Sequence, residues 1–239
     1  KKKKLYGLID GDVAIHLACY FSQGGGVDED DVAQTCSGIV DSWVRETGSE
    51  VPIVCLGDRP TFRHQLSPEY KGNRPSEKPE WYSFCRDWYE TNFHSIVLPN
   101  LEADDTLGIL ATGRYLGRSI IITSDKDLLQ IPGEYYNVRS QVRVSVTPEE
   151  GNYRRMVQWL SGDSTDNYKG IRGFGEKTAT KLLGDTPTAE RVWEIYEEKG
   201  YDLEYARLQG MLARILTHET WSETEGALPL EAPFELPTP

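Results

Sequence analysis

The stretch that most limits what this chain can fold into is Gly162 to Leu183, GDSTDNYKGIRGFGEKTATKLL. It joins two carboxylates, Asp163 and Asp166, to a glycine-punctuated turn, Gly170-Ile171-Arg172-Gly173-Phe174-Gly175, and then to a helical run from Glu176. Glycine permits close backbone approach, and free amides at a helix N-terminus attract anions. With Lys177 and Thr178 in the first helical turn, the second half is suited to successive phosphates, held without reading base sequence. Gly170, Gly173, Gly175, Lys177 and Thr178 are therefore candidate DNA contacts. The first half offers oxygen ligands.

Further carboxylates come from upstream. Leu5 to Ile9 is an apolar run ending in Asp10-Gly11-Asp12, Val51 to Leu56 ends in Gly57-Asp58, and Ser119 to Thr123 leads into Ser124-Asp125-Lys126-Asp127. Helical runs at 13–21, 28–47 and 80–93 separate them, which predicts an α/β fold with a mainly parallel sheet. Ligands of such sheets bind beyond the carboxyl ends of the strands. An N-cap or a turn accounts for any one of these aspartates as well as function does; three strands each delivering one is harder to explain that way. Leu101-Glu102-Ala103-Asp104-Asp105 opens another helix, whose dipole favours one or two acids but leaves a third unexplained. Glu102 and Asp105 share a helical face.

The candidate metal set is thus Asp10, Asp58, Glu102, Asp104, Asp105, Asp125, Asp127, Asp163 and Asp166. The four histidines, at 16, 64, 94 and 218, are scattered and form no nucleophile constellation. An all-oxygen set selects Mg²⁺ or Mn²⁺ over zinc, with several carboxylates acting through water. Two ions about 4 Å apart activate water and stabilise a leaving oxygen. Phosphodiester hydrolysis is the expected chemistry.

A net charge of −12 argues at first against a polyanionic partner, but nine carboxylates in one site would leave only −3 elsewhere. Basic residues gather locally in Arg59 to Arg74, RPTFRHQLSPEYKGNR, where Arg63, Lys71 and Arg74 can attract a backbone and Tyr70 can stack on a base. A solvated loop explains that segment equally well. The rings of Glu80 to Phe93 read as core first. Four cysteines at wide spacing, without a C-x-x-C pair, suggest reduced buried thiols in a cytoplasmic protein. The opening residues reach Asp10 before a signal-length apolar run forms, and no membrane span is expected. Tyr135 to Val146 predicts an edge hairpin. Helices are predicted over 152–160, 188–199 and 203–216, followed by a Pro- and Glu-rich tail over 222–239, extended or disordered.

Together these segments resemble the 5′-nuclease family: flap endonucleases, the 5′-to-3′ exonuclease domain of bacterial DNA polymerase I and the phage 5′-exonucleases. The matching motifs are IDGD at 9–12, GDRPTFR at 57–63, YKGNR at 70–74, LEADD at 101–105, TSDKDLLQ at 123–130 and all of 162–183, in family order. The resemblance implies a PIN-like α/β nuclease domain over 1–150 with a short helical arch at about 70–100. A helix-hairpin-helix region would follow over 151–221. It implies metal at the nine carboxylates, scissile-phosphate contacts from Lys71 and Arg74, and a monovalent cation such as K⁺ at hairpin carbonyls. The implied substrate is DNA with a free 5′ end, nick or 5′ flap, with an RNA–DNA hybrid and a replication-protein partner left open, cleaved by a monomer. Two departures stand out: Tyr168-Lys169 replaces the Ile-Pro of many relatives, and Asp12 adds a carboxylate. The short interval from Tyr70 to Glu102 and the apolar helix around Met211 look most like the exonucleases of T7-like phages.

Two other readings bear on the same residues. Asp10-Gly11-Asp12 has the D-x-D spacing of haloacid-dehalogenase-type phosphatases, a class that needs neither YKGNR nor the hairpin. A non-catalytic helix-hairpin-helix DNA-binding protein would need the hairpin and none of the carboxylates.

Overall fold

The computed structural model describes residues 4–185 and 187–230. Its elements run β1 (Tyr6–Asp10), α1 (Gly11–Phe21), α2 (Glu29–Thr47), β2 (Val51–Leu56), α3 (Phe62–Leu66), α4 (Tyr82–Asn92), β3 (Ser95–Val97), α5 (Ala103–Thr112) and β4 (Ser119–Thr123). There follow a 3₁₀ turn (Lys126–Gln130), β5 (Gly133–Asn137), β6 (Val142–Val146), α6 (Pro148–Ser161), α7 (Glu176–Leu183), α8 (Ala189–Glu198), α9 (Leu203–Ala213), β7 (Trp221–Ser222) and β8 (Gly226–Ala227).

Local chemistry sets several of these boundaries. Asp28 and Asp31 form a reciprocal capping box at the start of α2, and Gly48 ends that helix at φ 68, a left-handed conformation natural to glycine. Thr147 and Glu150 cap α6 in the same way, with Pro148 in its first turn.

The large sheet has the order β3-β2-β1-β4-β5-β6, every pairing parallel except that of β5 with β6. Leu8 and Ile9 on β1 and Ile53 and Val54 on β2 are fully buried, as strands covered on both faces require. Ile9, Val54 and Ile122 pack with α1, α2 and α4; Leu8, Ile53 and Ile121 pack with α5. Strand order reverses between β1 and β4, which opens a crevice at their carboxyl ends. A separate core, built on Trp159, Trp193, Tyr196 and Leu212, ties α6 to α8 and α9 and takes in Tyr70 from the far upstream loop.

The segment expected as an arch divides in two. Residues 67–81 are turns, whereas α4 buries Cys85 and Tyr89 against α1 and α2, so its ring stripes serve chiefly as core. The expected hairpin over 135–146 forms as β5 and β6, but β5 also joins β4 and thereby extends the main sheet. The expected open tail is in part folded: β7 pairs with β8, and Leu230 is buried beside Gly210. Residues 231–239 lie outside the described ones, as do 1–3. All four cysteines are free and buried.

Candidate active site

The strand ends converge as their sequence suggests. Asp10 ends β1 and caps α1, its Oδ1 accepting from Val13 N at 3.1 Å and its Oδ2 from Thr123 Oγ1 at 2.7 Å. Thr123 also accepts Asp125 N at 3.0 Å, so one hydroxyl ties the ends of β1 and β4 together. Asp125 accepts Asp127 N at 2.8 Å, curling the chain into the 3₁₀ turn. Asp58, just past β2, accepts from Arg59 N at 3.0 Å and Asn100 N at 2.9 Å, which holds the entrance to α5 beside β2.

From the other side come the downstream carboxylates. Asp163 Oδ1 accepts Thr165 N at 2.6 Å and Asp166 N at 3.2 Å, and Asp163 exchanges backbone hydrogen bonds with Tyr168 at 2.9 and 3.0 Å. This tight turn is clasped to the Tyr70–Arg74 loop: Lys71 N donates to Asp166 O at 2.9 Å, and Asn73 Nδ2 to Ser164 O at 2.8 Å. Lys71 Nζ lies 2.5 Å from Glu102 Oε1 and 3.5 Å from Asp166 Oδ2; Arg74 reaches Asp166 Oδ1 at 2.5 Å. The Tyr70 hydroxyl bridges Glu102 Oε2 at 3.1 Å and Asp166 Oδ2 at 2.9 Å.

The result is a cleft of about 680 Å³ at the strand ends. Eight of the nine expected carboxylates line it: Asp10, Asp58, Glu102, Asp104, Asp125, Asp127, Asp163 and Asp166, with Lys71 and Arg74 among them. Asp105 is the exception. It is fully buried, and its oxygens face the core, accepting from Arg63 at 2.6 and 2.8 Å, from Leu216 N at 3.0 Å and from Glu102 N at 3.2 Å. Those donors occupy both oxygens, so the expectation of a metal ligand at Asp105 is corrected to a structural anchor. Arg63 is corrected with it. At 2 % exposure, bonded also to Leu212 O and Arg214 O, it cannot reach a DNA backbone.

Burial and crowding govern protonation here. Desolvation first, then Asp12, pushes Asp10 up to about 7, while burial and then Asp125 push Asp127 up to about 6. Asp104 is raised well above the carboxylate range by burial and then by Asp10 and Asp125. Glu102 goes the other way: burial alone would raise it, but Lys71 and Arg63 together hold it at about 2. Among the described residues no three of these groups close on a single point as a bare-ion cage would require. Lys71 and Arg74 occupy Glu102 and Asp166. The remaining set still fits a hard, hydrated cation. It is all oxygen, neighbouring carboxylates add to burial in raising Asp10, Asp104, Asp125 and Asp127, and buried Asp12 Oδ1 has no hydrogen-bond partner among the described residues.

In the glycine-rich half, Gly162 and Gly170 pack backbone to backbone at φ 67 and 54, where a Cβ on either would strike the other's main chain. Gly173 and Gly175 are open, and Lys177 and Thr178 stand exposed on the first turn of α7. The carbonyls of Gly170, Ile171 and Gly175 accept from the Tyr205 hydroxyl, from Phe174 N, and from Thr178 N and Ala179 N.

Several lining residues stand outside the expected set of site residues. Asp12, Arg59, Lys78 and Tyr82 face the cleft. Asp12 was legible as the second acid of D-G-D, and Arg59 as the first cation of its cluster. Tyr82 is masked by core rings at helical spacing, and only the fold separates it from them.

The family model of the 5′-3′ exonuclease N-terminal resolvase-like domain matches residues 6–156. The chain belongs to the 5′-3′ exonuclease family. It is 28 % identical to the thermostable DNA polymerase I of Thermus thermophilus over 95 % of its own length, and spans 29 % of that polymerase. It is 31 % identical to the 5′-3′ exonuclease of Bacillus subtilis, with 62 % of this chain and 57 % of that protein aligned. Among solved structures, the flap endonuclease of bacteriophage T5, in complex with DNA and metal ions, superposes with TM-score 0.65 at 17 % identity, covering 88 % of this chain and 89 % of that one. The catalytic core of Rad2 with DNA substrate gives 0.55 at 13 % identity, over 84 % and 67 %. These likenesses agree with a PIN-like fold, a mainly parallel six-stranded sheet flanked by helices.

Proposed function

We propose that this chain is a divalent-metal-dependent 5′-to-3′ exonuclease and 5′-flap endonuclease that hydrolyses DNA phosphodiesters. The observation that carries the reading is the gathering of eight expected carboxylates, with Lys71 and Arg74, around one cleft at the strand ends. A phosphatase of the D-x-D type would not call for Lys71 and Arg74 clasped to the second acidic turn. A DNA-binding module without catalysis would have no use for desolvated aspartates.

Asp10, Asp12, Asp104, Asp125, Asp127 and Asp163 would hold Mg²⁺ or Mn²⁺, with Asp58 at the rim. Bound there, a pair of ions supplies an activated water and stabilises the leaving oxygen. The protein's own part is to receive the strand. An incoming phosphate competes with Glu102 and Asp166 for Lys71 and Arg74, which exchange a carboxylate partner for a phosphodiester one. Gly173, Gly175, Lys177 and Thr178 grip duplex backbone at the start of α7, in the manner of a helix-hairpin-helix. We assign the substrate as DNA with a free 5′ end, nick or flap, acted on by a cytoplasmic monomer. Among the described residues no helix is long and apolar enough to cross a membrane.

The test is cleavage of 5′-labelled duplex and flap DNA with and without Mg²⁺. Metal-dependent release of short 5′ products is expected, and its absence across Mg²⁺ and Mn²⁺ would remove the enzyme reading.

A further inference from the structure

The acidic cleft has a second wall that the chemistry above leaves unused. Beside the end of β2, Arg59 and Lys78 line it together with His16 and Tyr82. Packing holds this wall in place. Arg86 on α4 donates through Nη1 to Gly57 O at 2.9 Å, tying the loop that carries Arg59 to the helix that carries Tyr82. Lys78 Nζ lies 4.1 Å from the centre of the Tyr82 ring, and that ring stands 5.6 Å from His16 on α1. A ring face attracts an ammonium through its quadrupole but does not neutralise its charge.

The charge on this wall is one-sided. Lys71 and Arg74 are matched by Glu102 and Asp166, whereas among the described residues neither Arg59 nor Lys78 forms an ion pair. Burial first, then Arg59, pushes Lys78 down, with Arg74 and Arg86 adding to the effect and Asp12 opposing it. Arg74 belongs to both walls, since it holds Asp166 on one side and its charge acts on Lys78 and His16 on the other. Cations that repel one another with no anion between them mirror the carboxylates across the cleft, which crowd without a cation.

We propose that Arg59 and Lys78 form a second phosphate subsite, taking the phosphate one nucleotide 5′ of the one at Lys71 and Arg74, whether an internal diester or a terminal monoester. The inference rests on the nuclease reading above and adds to it a grip on the part of the strand being removed. Both pairs line one cleft, so consecutive phosphates of one strand can meet them in turn. The polarity follows from the packing. The helix given to duplex backbone, α7, lies against α6 and α8, whereas α4 lies against α1 and α2, across the metal-binding floor where the strand leaves the duplex.

The test changes one charge on the substrate. In one arm, a 5′ flap carrying an uncharged methylphosphonate one nucleotide 5′ of the cut is compared with its unmodified form. In the other, a duplex with a 5′-hydroxyl end is compared with its 5′-phosphorylated form, and kcat/KM in Mg²⁺ is read in both. Wild type is expected to lose about 10-fold when the phosphate is neutralised or absent. The double variant Arg59→Gln with Lys78→Gln should no longer distinguish the members of either pair, and Lys78→Arg should keep the discrimination. A loss confined to the flap arm assigns the subsite to a diester, and one confined to the terminal arm to a monoester. Equal cleavage of all forms by wild type overturns the proposal and leaves the nuclease reading in place, and so does discrimination that survives the double variant. Absence of metal-dependent cleavage of every substrate would remove the nuclease reading, and this subsite with it.

Discussion

Replacing Arg63 with alanine removes the guanidinium that holds Asp105 in the core. Arg63 makes contacts of 2.6 and 2.8 Å to the two Asp105 oxygens and donates to Leu212 O at 3.1 Å and Arg214 O at 2.7 Å. Asp105 is fully buried, so its charge would have no route to water. Breaking one side of such a pair costs about 3–5 kcal/mol, because the remaining charge stays desolvated. For a domain of this size each kcal/mol moves the melting temperature by about 2–4 °C, so a fall of roughly 10 °C is expected in thermal circular dichroism. Salt should barely change the difference, since buried pairs are poorly screened. Arg63→Met combined with Asp105→Leu should recover much of the loss. A melting temperature within about 2 °C of wild type, together with weakened, salt-sensitive DNA binding, would refute the reasoning and return Arg63 to the DNA interface.

Other outcomes follow from the same geometry. Asp125→Ala should abolish turnover yet retain DNA binding in Ca²⁺, measured by fluorescence anisotropy; loss of both would make Asp125 structural. Lys71→Ala should cut single-turnover cleavage by about 100-fold or more with a smaller effect on affinity, and unchanged cleavage would take it out of the site. Gly170→Ala, at φ 54 with main chain on two sides, should destabilise far more than Gly175→Ala, whose Cβ meets open space, as urea melts would show. In metal-free protein Asp10 at about 7 and Asp127 at about 6 keep protons that the unfolded chain, at 3.8, has released, so they lower stability as pH climbs from about 4 to 7. Glu102, held at about 2 against 4.5 unfolded, contributes stability above about 4.5 that is lost as pH falls toward 2. The rise in melting temperature on adding Mg²⁺ should therefore be larger at pH 8 than at pH 5.5, and an equal rise at both would contradict the protonation assigned to Asp10.

The strands carrying the site were legible because both of their faces are buried, so each reads as an unbroken apolar run closed by an acid. Val51–Leu56 and Ser119–Thr123 fall where those runs lie, and Tyr6–Asp10 differs by one residue at each end. Short Ser95–Val97 is half exposed and carries no such run. Asp105 and Arg63 escaped correct reading for a different reason. A helical spacing of three places Glu102 and Asp105 near one face but does not say which oxygen turns to the cleft and which to the core. That depends on Arg63 and on Leu216, a residue 111 positions downstream whose amide meets Asp105.

The clasp between the Tyr70–Arg74 loop and the second acidic turn bears on how the protein can be divided. The family domain ends at residue 156, after every strand of the main sheet but before Gln158, Asp163 and Asp166. A fragment cut there would keep the whole six-stranded sheet yet leave Lys71, Arg74 and Tyr70 without Asp166, and Asp127 without its amide donor, Gln158. Modularity in the sequence is therefore not modularity in the site: recombining relatives at that boundary would mix two halves of one charge network, and productive exchanges should instead carry residues 70–74 and 158–168 together.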